Sequence, residues 1–202
     1  MKLLLTSAGL TNHRISETLL SLLSKPVKYC SVVVIGYPLT TQEQDYIDEI
    51  IISLQQLGFD NIHRIDLKQP TFTEDLSTYD IIYMCGGNTY AILDRLQKTT
   101  LDKAIIQAMK NDQAIYIGVS AGSIIAGPDI SIAGWRSTGD PNIVQLTNLT
   151  GFGFVNFSVF PHANAELLSE VEAFQKETHK QVITLTDEQA VLVENTKITL
   201  IQ

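Results

Sequence analysis

The sequence predicts an α/β domain in which a mostly parallel sheet carries helices on both faces. Apolar runs of strand length alternate with segments of helical periodicity through the first half of the chain, and this alternation is typical of right-handed β-α-β crossovers. One run ends in a G-x-S-x-G sequence at residues 118–122, which is typical of a nucleophile elbow between a strand and a helix. With 202 residues, 45% of them apolar, the chain can build one sizeable core. We therefore expect a three-layer fold in a single domain spanning residues 1–202.

The strands of the parallel sheet are predicted from four apolar runs and one weakly alternating segment, each followed by glycine or polar residues. The runs lie at residues 3–6, 31–35, 79–84 and 115–119, and the alternating segment lies at residues 62–67. Apolar residues at helical spacing predict the main helices between them at residues 16–23, 43–57, 90–96 and 101–109. Because the active site of such a sheet lies beyond the carboxyl ends of its strands, the residues that follow each run are the first candidates for function.

The second half of the chain predicts a loop region, one further strand and helix, and a terminal meander. Residues 128–150 hold no long periodic run, and a long loop over the strand ends tends to carry function. The pattern predicts a strand at residues 157–160 and a helix at residues 165–178. Three short runs, at residues 182–185, 190–193 and 198–201, predict a C-terminal β meander with Asp187-Glu188 and Asn195-Thr196 in its turns.

Ser120 is the candidate nucleophile because of its place between the fifth predicted strand and the small residues that can begin a helix. Gly118 and Gly122 remove the Cβ atoms that would clash in so sharp a turn. If the elbow forms, the helix N-terminus directs N–H groups toward an oxyanion beside the serine. The alternative is that Ser120 only caps the helix.

A serine hydroxyl needs a base to take its proton and a third group to orient that base. His162 follows a predicted strand and a proline, at the sheet edge that also holds Ser120, and is therefore the candidate base. The other histidines fit structural positions: His13 at a helix start, His63 in a strand and His179 at a helix end.

The residue types alone leave three candidates for the carboxylate that orients His162. Asp140 lies between Ser120 and His162 in the chain, which gives the order Ser–Asp–His that α/β-hydrolases use. Its Thr-Gly-Asp-Pro context is equally typical of a turn. Asp129 is nearer to Ser120 in sequence, and Glu166 falls on the first turn of the helix after His162.

Two glycines directly after the fourth predicted strand suggest that the backbone must come close to a ligand there. The N–H groups of Gly87 and Ala121 are the candidate donors of an oxyanion hole. The alternative for Gly86 and Gly87 is a tight turn without function.

Composition excludes several classes of partner. The formal net charge of −8 argues against nucleic acids and anionic membranes, which require clustered Lys and Arg. No apolar run approaches the ~18 residues of a membrane span. Cys30 and Cys85 form neither a disulfide framework nor a metal-ligand pattern, which favours a reduced cytoplasm. We expect no metal and no organic cofactor.

Four segments together resemble the peptidase E family, the aspartyl dipeptidases among the serine peptidases, to which cyanophycinase is related. The segments are Cys85–Leu93, Tyr116–Gly122, Thr138–Val144 and Phe160–His162. The resemblance covers nearly the whole chain and implies a fold like that of class I glutamine amidotransferases, with serine in place of their elbow cysteine. It also implies Ser120 as nucleophile, His162 as base, Asp140 as acid, and Gly87 and Ala121 as oxyanion donors.

The resemblance further implies a small peptide substrate, an Asp-X dipeptide in the family proper, that is cleaved through an acyl-enzyme. The family's arginine-containing segment after the histidine, which recognises the N-terminal aspartate, is replaced here by the acidic residues 163–171. Arg136 is the arginine nearest to the predicted site, so we expect Asn88 and Arg136 to bind substrate. A homodimer is a further expectation.

Two other functions would use the same residues. A serine esterase or amidase of the α/β-hydrolase fold shares the elbow, but a five-stranded parallel core with Gly-Gly-Asn after the fourth strand argues against that fold. A non-catalytic binding domain would use Ser120 only as a hydrogen-bond donor. A fluorophosphonate distinguishes a serine hydrolase from a binding domain, because only an activated serine reacts with it.

Overall fold

A twisted sheet of seven strands and a separate pair of strands organise the molecule. The structure is a computed structural model that describes residues 1–110, 114–135 and 139–202. Its strands are β1 (Lys2–Thr6), β2 (Ser31–Gly36), β3 (Asn61–Asp66), β4 (Ile81–Met84), β5 (Ile115–Val119), β6 (Ser158–Phe160), β7 (Val182–Thr184), β8 (Ala190–Glu194) and β9 (Lys197–Ile201). The large sheet has the order β3-β2-β4-β5-β1-β8-β9, and β6 pairs with β7.

Helices cover both faces of the large sheet. They are α1 (His13–Leu22), α2 (Thr41–Gln56), α3 (Thr89–Thr99), α4 (Leu101–Lys110), α5 (Ala121–Ile125) and α6 (Leu168–Thr178). The apolar sides of α1 and α2 pack in one buried cluster, and those of the other four helices pack in a second cluster on the opposite face. This arrangement confirms the predicted three-layer α/β fold.

The five predicted parallel strands form the centre of the large sheet, since β1 to β5 pair in parallel. β1, β2, β4 and β5 are buried on both faces, which is why they appear in the sequence as continuous apolar runs. The edge strand β3 has exposed residues, and its sequence alternates only weakly.

The predicted C-terminal meander is wrong in its first strand. The last two runs form an antiparallel hairpin of β8 and β9 on the edge of β1. The first run, β7, instead pairs in parallel with β6. The hydrophobic pattern of a three-residue strand does not specify its partner, because β6 and the β8–β9 hairpin offer the same kind of backbone hydrogen bonds.

The direction of β8 decides where the segment before it lies. Since β8 runs antiparallel to β1, its first residue, Ala190, pairs with Thr6 at the carboxyl end of β1. The residues just before β8 therefore meet the residues that follow the parallel strands, at the functional edge of the sheet.

A membrane-spanning helix is not found: no described helix combines the required length and apolar character.

Candidate active site

Ser120 occupies a strained turn between β5 and α5. Its φ of 49° and ψ of −108° lie outside the regions that side-chain-bearing residues usually adopt. The backbone N–H donates to Thr6 O at 3.0 Å, which fixes the turn to the end of β1. The Ser120 side chain does not cap α5. It faces His162 instead, so the structure disagrees with the alternative in which this serine serves only as a helix cap.

The two glycines of the elbow are required by close packing. A Cβ on Gly122 would lie 2.4 Å from the Met84 carbonyl oxygen, and one on Gly118 would lie 2.8 Å from the Gly122 backbone. Real Cβ atoms do not approach other atoms so closely. The turn that projects the Ser120 hydroxyl therefore depends on both glycines.

His162 lies directly beyond β6, where the predicted strand ends. Its Nε2 atom is 2.9 Å from Ser120 Oγ, which is hydrogen-bonding distance. The backbone has a φ of 56° at this residue, and its N–H donates to Ser7 Oγ at 2.7 Å. Ser7 follows β1, so three strand ends combine to place the imidazole beside the serine.

Asp187 is the carboxylate that contacts the imidazole. Its Oδ1 atom lies 2.7 Å from His162 Nδ1, and Ser7 Oγ donates to the same oxygen at 2.7 Å. A proton on Nδ1 shared with Asp187 leaves the lone pair of Nε2 directed at Ser120, the tautomer that a general base needs. The three residues thus form a Ser–His–Asp chain of hydrogen bonds.

The charge of Asp187 is maintained by its hydrogen bonds. Burial is the largest single influence on this carboxyl and disfavours ionisation. The hydrogen bonds from Ser7 and His162 and the attraction of His162 together outweigh burial, so the pKa of Asp187 is lowered from its ordinary value. The carboxylate is therefore ionised wherever a neutral imidazole can act as base.

The prediction of Asp140 as the orienting carboxylate is wrong. Its Oδ2 atom accepts hydrogen bonds from the N–H and the hydroxyl of Thr89, at 2.8 and 2.6 Å, and so stabilises the start of α3. No hydrogen bond joins Asp140 to His162 among the described residues. Asp140 lines a cavity with Ser120 and His162, whereas Asp187 is the carboxylate hydrogen-bonded to the imidazole at Nδ1.

The other two predicted carboxylates also lie elsewhere. Asp129 pairs with Lys180 at 2.7 Å and accepts hydrogen bonds from Ser131. Glu166 is exposed in the loop before α6. Asp187 was missed because Asp187-Glu188 reads as an ordinary turn between two strands. The sequence pattern carries no signal for it, because its place at the site depends on the antiparallel direction of β8, which brings this turn to the carboxyl ends of the parallel strands.

The predicted oxyanion donors lie around the serine. Ala121 is the first residue of α5, so its N–H has no carbonyl partner within that helix. Gly87 has a φ of 134° and lines the same cavity as Ser120. Gly86 also lies beside the serine, since a Cβ there would lie 3.3 Å from Ser120 Cβ. This arrangement leaves two backbone N–H groups available for an oxyanion, and their role stays a prediction.

Two cavities meet at Ser120 and His162. The first, which we call the small cavity, has a volume of about 130 Å³. Besides Ser120 and His162, its described polar side chains are Thr89 and Asp140, and its apolar side chains include Ile132, Trp135, Phe160 and Leu167. The second, the large cavity, has a volume of about 350 Å³ and is lined on its far side by Gln42, Glu43 and Tyr46 of α2. A peptide whose carbonyl carbon lies at Ser120 Oγ would extend into both cavities.

The two predicted substrate-binding residues have different outcomes. Asn88 caps α3 by accepting from Ala91 N–H, and its amide donates to Pro141 O at 2.9 Å. Its role in binding therefore stays a prediction, with its side chain already engaged within the fold. Arg136 lies outside the described residues.

Within the described ranges, no three His, Cys, Asp or Glu side chains are grouped as a metal ion would require. The described lining of the two cavities contains neither lysine nor arginine.

Comparison with known proteins identifies relatives of the whole chain. The model of peptidase family S51 matches residues 3–201. An uncharacterized peptidase of Pasteurella multocida is 34% identical over 154 residues, which cover 72% of this chain and 72% of the relative. An uncharacterized peptidase of Listeria monocytogenes is 33% identical over 126 residues, or 62% of this chain. The matched region spans only about half, 54%, of that relative.

A solved structure shares the fold over the full length. It is the 1.5 Å crystal structure of a protein from Listeria monocytogenes EGD-e that carries the provisional name peptidase E. It superposes with a TM-score of 0.78 at 27% sequence identity, covering 100% of this chain and 98% of the other.

Proposed function

Because this chain belongs to peptidase family S51, we propose that it is a serine peptidase that hydrolyses a small peptide through an acyl-enzyme. The observation that supports this proposal most directly is the chain of hydrogen bonds from Ser120 through His162 to Asp187. A helix cap or a passive hydrogen-bond donor has no need of a base at 2.9 Å that is itself held by a carboxylate.

In the proposed mechanism, Ser120 Oγ attacks the carbonyl carbon of the scissile peptide bond while His162 Nε2 takes its proton. The negative oxygen of the tetrahedral intermediate accepts hydrogen bonds from Gly87 N–H and Ala121 N–H. Collapse of the intermediate breaks the C–N bond, and the proton on Nε2 passes to the departing amine.

A water molecule then completes the reaction. It loses a proton to His162 Nε2 as its oxygen attacks the ester, and the released Ser120 recovers that proton when the acid product leaves. Asp187 holds the imidazole in place and stabilises its positive charge in both halves of the cycle.

The size and charge of the small cavity favour a substrate whose acyl residue is short and carries a positively charged group. The cavity offers the Asp140 carboxylate, which is fixed through one oxygen by Thr89. A free α-amine at the substrate's N-terminus would suit this carboxylate. The same Asp140 carboxylate would repel an aspartate side chain in this cavity, so we propose that small neutral acyl residues are cleaved at least as well as aspartate.

The proposal is tested by fluorophosphonate labelling together with a dipeptide library. Wild-type protein should be labelled at Ser120, and Ser120→Ala should lose both labelling and hydrolysis while retaining its thermal unfolding midpoint. Ser123→Ala removes a buried hydroxyl one turn further along and should remain labelled, which makes it the matched control. The library compares Asp-X, Glu-X and neutral acyl residues. An unlabelled wild-type protein that cleaves no member would overturn the proposal.

A further inference from the structure

Among the described residues that line the large cavity, Glu43 carries a carboxylate that the proposed mechanism does not use. Glu43 lies on the first turn of α2, where its Oε2 atom accepts hydrogen bonds from the N–H groups of Leu39 and Thr40. Its other oxygen, Oε1, accepts no hydrogen bond from a described residue. Oε1 faces the loop after β4, since it lies 3.8 Å from where a Cβ on Gly87 would be. The fold thus positions a carboxylate rigidly and leaves one oxygen available beside the proposed oxyanion hole.

The described lining of the large cavity offers Glu43 no cationic partner. The large cavity is lined by Gln42, Tyr46, small residues and the catalytic pair, with no lysine or arginine among its described residues. A ligand that enters this cavity therefore meets an anionic wall. Since the chain as a whole has a formal net charge of −8, the wider electrostatic field has the same sign.

A neighbouring cavity of about 140 Å³ shares two lining residues, Ala8 and Tyr46, with the large cavity. The neighbouring cavity is lined by a second carboxylate, Glu49, and by Tyr83. Glu49 therefore places a second negative charge on α2, next to the large cavity.

The two cavities at Ser120 differ in size, and this difference bears on which of them holds the acyl group and which holds the leaving group. During deacylation the acyl group stays attached while water takes the place of the departed amine. The leaving group must therefore occupy the side through which water can enter. The large cavity, of about 350 Å³, suits that exchange better than the small cavity of about 130 Å³, because it has more room for an entering water molecule.

We propose that the large cavity receives the leaving group of the peptide and that Glu43 selects a leaving group with a positively charged side chain, such as lysine or arginine. This inference rests on the proposed function and extends it to the residue after the scissile bond. A glutamate or aspartate in that position brings its charge toward an unpaired carboxylate and is disfavoured.

The test compares peptides that share one acyl residue, the one cleaved best in the dipeptide library. The leaving residue is Lys, Gln or Glu, each as its C-terminal amide so that only the side-chain charge differs. We expect kcat/KM to fall in that order, with a Lys-to-Glu ratio of roughly tenfold at low salt; this factor corresponds to about 1.4 kcal/mol and combines the attraction of lysine with the repulsion of glutamate. Added salt should reduce the ratio.

Glu43→Gln is the decisive variant, because glutamine keeps the acceptor oxygen of the helix cap and removes only the charge. It should bring the Lys-to-Glu ratio close to one while leaving the preference among acyl residues unchanged. Asp45→Asn removes the same charge from the exposed side of the same helix and should keep the wild-type ratio.

Equal rates for the three leaving residues in the wild type, or a Glu43→Gln variant that keeps the wild-type ratio, would overturn this inference and leave the proposed function intact. A change in acyl preference in Glu43→Gln would overturn the assignment of the large cavity to the leaving group. If the wild type cleaves no library member and its serine is not labelled, the proposed function falls and this inference with it.

Discussion

The Asp187 carboxylate and the His162 imidazole, 25 residues apart in the chain, are joined by a hydrogen bond of 2.7 Å. The segment between them holds α6 and β7, so the contact is made only after β7 has paired with β6 and β8 has paired with β1. Ser7 strengthens this contact by donating to Asp187 and accepting from the His162 backbone. The base is thereby held from two directions before any substrate arrives.

Replacing Asp187 by asparagine should lower kcat by about 10³-fold or more, because an amide can stabilise the wrong imidazole tautomer and cannot neutralise the imidazolium. Asp140→Asn should keep kcat within about tenfold of wild type and act mainly on KM, since asparagine still offers an acceptor to Thr89. The two variants are compared by steady-state kinetics on the best library substrate. A greater loss of kcat in Asp140→Asn than in Asp187→Asn would return the orienting role to Asp140.

Ser7→Ala should lower kcat by roughly tenfold, since it removes one hydrogen bond to Asp187 and one from the His162 backbone. A structural role alone would reduce stability without altering turnover. The readouts are therefore kcat and the urea midpoint, measured side by side. Ser123→Ala, which also removes a buried hydroxyl, serves as the control and should reduce the midpoint while kcat stays near wild type.

Gly122→Ala should destabilise the fold by about 3 kcal/mol or more, because the added methyl group meets the Met84 carbonyl at 2.4 Å and the core cannot expand to accommodate it. Gly153 has a φ of 65° and no atom within 4 Å of an added Cβ. Gly153→Ala should therefore cost only about 1 kcal/mol, from backbone strain alone. Both values come from urea unfolding. Equal destabilisation would show that packing at the elbow is looser than the structure indicates.

Acid should remove the contribution of Asp129 to stability. Burial is the largest influence on this carboxyl and disfavours its charge, but the hydrogen bonds from Lys180 and Ser131 outweigh burial and lower its pKa. A lowered pKa in the folded state means stability that is present above the unfolded-state pKa and lost as pH falls through the folded-state pKa.

The comparison for Asp129 is with Asp129→Asn. Wild type should exceed the variant in free energy of unfolding by a constant amount, about 1 kcal/mol, above roughly pH 5. The difference should shrink below about pH 4 as the wild-type carboxylate is protonated. Measurement by urea unfolding across pH 3 to 7 checks this, and a difference that grows toward low pH would contradict it.

Three features could be predicted from the sequence: the parallel core of the sheet, the elbow at Ser120 and the histidine that acts as the candidate base. Buried parallel strands must be apolar on both faces, so β1, β2, β4 and β5 are visible as continuous runs. The elbow at Ser120 is likewise local, because the glycines that its tight packing requires lie within two residues of it. His162 follows from position, since it ends a strand at the edge where Ser120 must lie.

The identity of the carboxylate that contacts the imidazole, and the cavities that flank the serine, follow from long-range packing and are not visible in the sequence. Asp140 is nearer to His162 along the chain than Asp187 is, yet its carboxylate is engaged by Thr89 at the start of α3. Asp187 reaches the site because β8 runs antiparallel to β1, and strand direction is set by long-range pairing that leaves no periodic trace in the sequence. The position of Glu43 beside Gly87 has the same origin: it depends on how α2 packs across the ends of the sheet, which the pattern of α2 alone does not specify.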